Sequence, residues 1–158
     1  MTAAPKKPHS VNPRSTARLA AVQALYQLAM TPGLRAKQVV IEFRAHRFGQ
    51  EIDGALFARA DEAHFGELVE GAAARQEEID AAISAALDAG WPLHRLETIM
   101  AALLRAGTYE LIARPDIPTA VAINEFVNVA HAFEADAKFV NGVLDRIARH
   151  VRAERSAQ

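Results

Sequence analysis

The apolar residues of this chain recur mostly at intervals of three and four, which is the period of an amphipathic α-helix. The segment that begins at Lys138 shows this pattern most clearly, because its apolar residues fall on one arc: Val140, Val143, Leu144, Ile147 and Val151. The opposite face carries charged residues and one glycine: Lys138, Gly142, Asp145, Arg149 and Arg152. Phe139 lies at the edge between the two faces. The segment is therefore predicted to form a helix that buries one side and exposes a charged side.

The same period extends over most of the chain and predicts an all-α fold of six to seven helices, with no convincing strand. Helices are expected over about 13–30, 34–48, 61–89, 96–113, 118–133 and from 138 onward. The third is long, with Gly90 as its C-cap, and Gly66 and Gly71 favour a break within it. Residues 1–11 are expected to form a flexible basic tail, residues 12–152 a single domain, and residues 153–158 a disordered C-terminus.

The formal net charge of −1 conceals an uneven distribution of charged residues along the sequence. Residues 1–41 carry a charge of +6, residues 42–137 carry −10, and residues 138–158 carry +3. If the two basic ends meet in the fold, they form one positive surface suited to a polyanion. The alternative is that the basic ends only keep the protein in solution.

The motifs of the common enzyme classes are absent from the sequence. The chain has no cysteine, no Gly-rich phosphate loop and no Gly-x-Ser-x-Gly, and its six histidines never occur at a metal-binding spacing. We therefore expect no catalysis, no cofactor and no metal. The sequence also lacks a long apolar run and a secretory leader, which favours a cytoplasmic location.

Basic residues beside an exposed aromatic ring are suited to single-stranded RNA, because cations hold phosphates while bases stack on the ring. Lys138, Arg149 and Arg152 share a face beside Phe139, and the start of the first helix adds its own arginines. Two alternatives stay open at this point. Phe139 can be an ordinary core residue, and the cations can form a solvated face or, at the first helix, lie over the edge of the core.

Five segments of the chain stand out as ordered motifs: Arg18-Leu-Ala-Ala-Val-Gln-Ala-Leu-Tyr26, Leu104-Arg-Ala-Gly-Thr-Tyr-Glu-Leu111, Arg114-Pro-Asp-Ile-Pro118, Ala122-Ile-Asn-Glu125 and Lys138-Phe-Val-Asn-Gly-Val-Leu-Asp145. Together they resemble the NusB family of bacterial transcription antitermination factors. The resemblance implies a non-enzymatic protein with an all-α fold of two small packed bundles. It also implies binding to the boxA element of ribosomal RNA operon transcripts together with NusE, a small-subunit ribosomal protein, and entry into the RNA polymerase antitermination complex.

The resemblance also implies which residues face each partner. The RNA-binding residues would be Arg14, Arg18, Phe133, Asp136, Lys138 and Phe139, with Lys6 and Lys7 adding charge from the tail. The residues that face the protein partner would be Tyr26, Glu97, Met100 and Arg105. Two features depart from the family pattern: the arginines of the first helix are spread out, and the joint before Lys138 is about two residues short.

The wide apolar arc of the first helix supports a different hypothesis. The chain could be a helical protein-interaction or self-association module without specific RNA binding, including a homodimer that forms in the absence of RNA.

Overall fold

The computed structural model of the protein describes residues 12–48, 51–52, 55–56 and 60–156. Within these residues there are seven α-helices, so the prediction of an all-α fold is confirmed. The helices are α1 (Pro13–Met30), α2 (Ala36–His46), α3 (Glu62–Ala74), α4 (Gln76–Ala86), α5 (Thr98–Ala113), α6 (Thr119–Ala132) and α7 (Ala137–Ser156). A 3₁₀ turn, Leu93–Arg95, precedes α5. Among the described residues, no helix combines the length and apolar character needed to cross a membrane.

The start of α1 follows from its local sequence. Asn12 is the N-cap, and its side-chain Oδ1 accepts a hydrogen bond from the backbone N–H of Arg14 at 3.0 Å. Pro13 occupies the first helical position, where the missing N–H costs nothing. The helix ends at Met30 and is followed by Thr31, Pro32 and Gly33, as the sequence predicts.

The structure corrects four details of the predicted elements. The long third helix is divided at Arg75 (φ −109°, ψ 23°) into α3 and α4, not at a glycine. Helix α4 ends at Ala86, because Leu87 leaves the helix in an extended conformation and packs against the core. Two antiparallel strands of two residues each, β1 (Glu51–Ile52) and β2 (Ala55–Leu56), lie between α2 and α3, where no strand was predicted. Helix α7 continues to Ser156, beyond the predicted domain end at residue 152.

Helix α5 is the centre of the fold. It contacts α1 and α3 on one side and α4, α6 and α7 on the other, so two groups of helices share one continuous core. Every residue from Met100 to Leu111 is buried except Arg105. A helix with apolar residues all round its surface is expected in such a position.

Helix α7 packs with the predicted apolar arc inward, since Val140, Val143, Leu144 and Ile147 are all buried. The prediction for the opposite face is wrong at Arg152. Its guanidinium donates to three backbone carbonyls and one hydroxyl of the α5–α6 connection, at 2.8–3.1 Å: Leu111 O, Arg114 O, Ile117 O and Thr119 Oγ1. Arg152 therefore fastens the end of α7 to the turn between α5 and α6.

Helices α3 and α5 approach closely at Gly71. The ring of Tyr109 lies against the backbone of Gly71, and a Cβ atom added there would overlap the ring. Gly142, near the middle of α7, has open space where a Cβ would be, with no heavy atom within 4 Å. Gly71 and Gly142 therefore form a matched pair for substitution by alanine, because the first has no room for a Cβ atom and the second has open space.

We expect Gly71→Ala to lower the free energy of unfolding by about 1–3 kcal/mol, because the added methyl group forces Tyr109 and α3 apart. Gly142→Ala should raise it by about 0.5–1 kcal/mol, because alanine loses less backbone entropy in a helix. Urea denaturation followed by circular dichroism measures both values. Equal effects of the two substitutions would show that the close approach of α3 and α5 is not required.

Candidate nucleic-acid interface

Arg14 is placed where an RNA phosphate could reach it. Its side chain is 41% exposed in the first turn of α1, and its Nε lies 3.6 Å from Oδ2 of Asp61, which precedes α3. This ion pair is long and partly solvated, so it holds the guanidinium only weakly. Lys6 and Lys7, predicted to add charge beside Arg14, lie outside the described residues.

Arg18 is buried, and the prediction that it contacts RNA is wrong. Its side chain is 3% exposed, and its Nε donates to both carboxylate oxygens of Glu110 at 3.1 and 2.9 Å. Its Nη2 donates to Oε1 of Glu110 at 2.5 Å, and its Nη1 lies 3.5 Å from Oε2 of Glu125. A guanidinium in this position is enclosed by α1, α5 and α6 and presents no donor to a phosphate.

The Arg18–Glu110 pair continues into α3 through a buried histidine. His64 Nε2 lies 3.4 Å from Oε2 of Glu110, and His64 Nδ1 lies 3.3 Å from Nη1 of Arg114. A guanidinium can only donate, so Nδ1 must accept, and Nε2 then carries the proton that faces Glu110. Arg114 Nη1 also donates to Oε1 of Glu67 at 3.0 Å, which extends the network to the surface.

Glu110 is ionised inside the protein. Burial by itself raises the pKa of this carboxyl, but hydrogen bonds from His64 and Arg18, together with the charge of Arg18, outweigh burial and lower the pKa below its ordinary value of 4.5. The sequence offered a signal for this group, because Glu110 is the one acid within the apolar stretch of α5. An acid at such a position needs a buried cation.

The joint between α6 and α7 has a defined backbone structure. The N–H of Ala135 donates to the carbonyl of Ala130 at 2.8 Å, and the N–H of Glu134 donates to the carbonyl of His131 at 3.1 Å. These two bonds form a Schellman motif, in which one residue adopts the left-handed conformation. Glu134 holds that position with φ 55°, where glycine is the usual residue.

Asp136 has a structural role at the start of α7. Its Oδ1 accepts a hydrogen bond from the backbone N–H of Phe139 at 3.1 Å, which is the bond of a helix N-cap. One carboxylate oxygen is thereby committed to the protein. Lys138 is exposed in the same helical turn.

Two open grooves flank this joint, and each is lined by some of the predicted site residues. The Phe139 groove, of about 540 Å³, is lined by Phe139, Asp136, Glu134, Glu97, Met100, Trp91, Asp88, Arg95 and Arg146, together with Leu87, Leu96 and Ala135. The Phe133 groove, of about 580 Å³, is lined by Phe133, Tyr26, Met30, Phe43, Arg47 and Ile99, together with Gln23, Gln27 and Thr31. Each groove thus combines residues predicted to face RNA with residues predicted to face a protein.

The position of Phe139 is compatible with both hypotheses, a core residue and a ring that stacks on RNA bases. It is half-buried and packs against the core, yet it also lines the open Phe139 groove. The charged residues around this groove are four carboxylates and two arginines. The groove is therefore acidic, and the positive charge needed for phosphates comes from outside its lining, where Lys138 is exposed.

The predicted partner-facing residues differ in their accessibility. Tyr26 is 39% exposed and Glu97 is exposed, so both can contact another protein. Met100 is only 8% exposed, at the base of the Phe139 groove. Arg105 is held by Asp80 through two hydrogen bonds of 2.8 and 3.1 Å. Sequence reasoning missed Trp91, which is 53% exposed at the Phe139 groove, and Arg47 in the Phe133 groove.

Comparisons with known proteins agree with the fold and the quoted motifs. The sequence model of the NusB family matches residues 15–149. The transcription antitermination protein NusB of Sinorhizobium fredii is 47% identical over 146 residues, which cover 91% of each chain. A structure of T. maritima NusB superposes with a TM-score of 0.72 at 30% identity, over 92% of this chain and 97% of that chain. The crystal structure of the antitermination factors NusB and NusE in complex with dsRNA contains a chain with a TM-score of 0.69 at 25% identity, over 87% of this chain and 96% of that chain. The resemblance to the NusB family is thus confirmed.

We expect Arg18→Ala to lower the free energy of unfolding by about 3–5 kcal/mol, because it leaves the ionised Glu110 buried without its main partner. Arg14→Ala is the matched control at the exposed start of the same helix, and it should change stability by less than about 0.5 kcal/mol. Thermal denaturation at neutral pH measures both. Similar stability of the two variants would contradict the importance of the buried pair.

The lowered pKa of Glu110 also predicts a dependence of stability on pH. A carboxyl whose pKa is lowered in the folded state stabilises the protein above its ordinary pKa, and this contribution is lost as the pH falls through the folded value. Glu110→Gln should therefore destabilise the protein at neutral pH and flatten the loss of stability below pH of about 4.5.

Proposed function

The chain belongs to the NusB family of transcription antitermination proteins, and we propose that it binds the boxA element of ribosomal RNA operon transcripts together with NusE. In this proposal the protein–NusE pair joins RNA polymerase in the cytoplasm and promotes antitermination. A relative of known structure, 25% identical, was crystallised with NusE and dsRNA, and the proposal extends that association to this chain. The family is not a family of enzymes, and the protein acts by binding.

The observation that carries the proposal is the placement of Phe139. Phe139 is half-buried against the core and also lines an open groove, so the residue is held by packing and is still accessible to a nucleobase. Lys138 is exposed beside it and supplies a cation for the adjoining phosphate. Arg14, exposed at the start of α1, supplies a second.

The acidic character of the Phe139 groove supports the assignment of part of it to the protein partner. Ribosomal proteins are generally basic, and a groove with more carboxylates than arginines attracts a basic surface. Glu97 offers the basic partner a negative charge, and Trp91 offers it an exposed aromatic anchor. RNA and NusE would then meet along the same groove, which explains how each could strengthen the binding of the other.

Self-association is the second candidate function, and one observation favours it. Tyr26 and Met30 are 39% and 56% exposed at the end of α1. Both line the Phe133 groove, so a second copy could cover this apolar area in the absence of RNA.

Titration of a boxA RNA with the protein, with and without NusE and at several salt concentrations, tests the proposed function. We expect NusE to tighten binding and the affinity to fall as salt rises, because phosphate contacts release counterions. A scrambled RNA of the same length is the control. Binding that NusE does not change, or that ignores the boxA sequence, would overturn the proposal, and a dimer detected by light scattering would then favour self-association.

Two substitutions of Phe139 separate base stacking from packing. Phe139→Leu keeps most of the buried apolar volume but removes the aromatic face, so it should weaken RNA binding by about 1–3 kcal/mol with a smaller loss of stability. Phe139→Ala should reduce both quantities, since the core contact is lost as well. If Phe139→Leu binds RNA as the wild type does, the ring contributes packing alone.

A further inference from the structure

Helix α2 and its flanking residues carry a concentration of positive charge that the proposed boxA contacts do not use. Residues 34–48 contain Arg35, Lys37, Arg44 and Arg47 against a single acid, Glu42. The whole segment 1–48 has eight basic residues and one acid, whereas the residues that follow, up to 137, are strongly acidic. The boundary of the basic part of the chain therefore lies at the end of α2.

The described part of the chain provides no carboxylate that pairs with the cations of α2 and its flanking residues. Among the residues whose side chains the structure describes, none of these four cations takes part in an ion pair. Other arginines, such as Arg75 and Arg105, are each held by a carboxylate. Within the described residues, Arg44 donates a side-chain hydrogen bond to the backbone carbonyl of Glu62, at 3.2 Å. Arg47 lies over the ring of Phe43, with its Cζ 4.8 Å from the ring centroid.

The geometry of α2 places these cations on an accessible surface. Val39, Val40 and Phe43 form the buried face. Lys37, Ile41 and Arg44 follow one another at i, i+4 and i+7 on the outer surface, and Ile41 is 61% exposed between the two cations. With a rise of about 1.5 Å per residue, the surface from Lys37 to Arg47 extends about 15 Å. We call it the α2 surface.

The α2 surface lies beside Arg14, which belongs to the proposed RNA interface, and beside the Phe133 groove. Arg44 binds the first residue of α3, Glu62, while Arg14 lies beside the preceding residue, Asp61. At its other edge, Arg47 lines the groove that contains Phe133. The nearby carboxylates of Glu42, Asp61 and Glu62 reduce the positive potential, and Asp61 is committed to capping α3.

We propose that the α2 surface binds the phosphate backbone of single-stranded RNA that flanks the boxA element. The inference rests on the proposed function and adds a second, sequence-independent contact to it. Lys37 and Arg44, which form no ion pair with the described side chains, hold phosphates and read no bases, so the contact sets affinity and path, not sequence preference. The exposed Ile41 supplies an apolar contact for a sugar or a base.

The test uses the full-length protein with NusE and two RNAs, one limited to boxA and one extended by single-stranded nucleotides on both sides. Lys37→Gln and Arg44→Gln should each weaken binding of the extended RNA about threefold, and the pair about tenfold. The dependence of log affinity on log salt should become shallower by about 0.7 for each cation removed. Binding of the short RNA should not change.

Arg75→Gln is the control, because it removes the same charge from a different part of the chain. The Arg75 side chain is 40% exposed and pairs with Glu78, and neither residue belongs to α2. It should bind both RNAs as the wild type does. An equal loss in Arg75→Gln, an equal loss on both RNAs, or no loss on the extended RNA would each overturn the inference. The preference of the wild type for boxA over a scrambled RNA is read separately and tests the proposed function, whatever the α2 variants show.

Discussion

The buried ion pair between Arg18 and Glu110 is the interaction on which the helix arrangement depends. Taking two charges out of water is costly, and their attraction repays the cost only in good geometry with further hydrogen bonds. Here the carboxylate has three bonds from one guanidinium and a histidine at its other side, supplied by α1, α5 and α3. Any shift of one helix against the others would leave a charge unpaired. The pair therefore selects one register among the many that an alanine- and leucine-rich core would tolerate.

The same pair changes how the basic N-terminal segment relates to RNA. Arg14 and Arg18 belong to one helix and lie one turn apart, yet one is partly exposed and the other is enclosed. The positive charge available to a polyanion is consequently smaller at α1 than the sequence suggests. At α2 the cations have no carboxylate partners among the described side chains, so more positive charge is available there than at α1. The net charge of a segment predicts the sign of the surface charge only when residues in buried ion pairs are left out of the sum.

Local patterns were sufficient to predict the helices, the apolar face of α7 and the family. They depend on residues within a few positions of each other, and Asn12-Pro13 or the spacing of Val140, Val143 and Leu144 can be interpreted without the fold. The roles of Arg18 and Arg152 could not be predicted in this way, because their acceptors lie 92 and 33–41 residues away. The division at Arg75 also depends on tertiary packing, since α3 packs against α1 and α2 while α4 packs against α5 and α7. The RNA-facing role of Phe139 and its neighbours remains a prediction.

The attachment of Arg152 has a consequence for the synthesis of the chain. Its acceptors belong to the α5–α6 connection, and α7 also covers the central helix α5. During translation α7 leaves the ribosome after α5. Until then one apolar side of α5 has no cover, and the nascent chain cannot close its core. The core therefore closes only after α7 has left the ribosome, and before that the nascent chain presents apolar surface of the kind that chaperones bind.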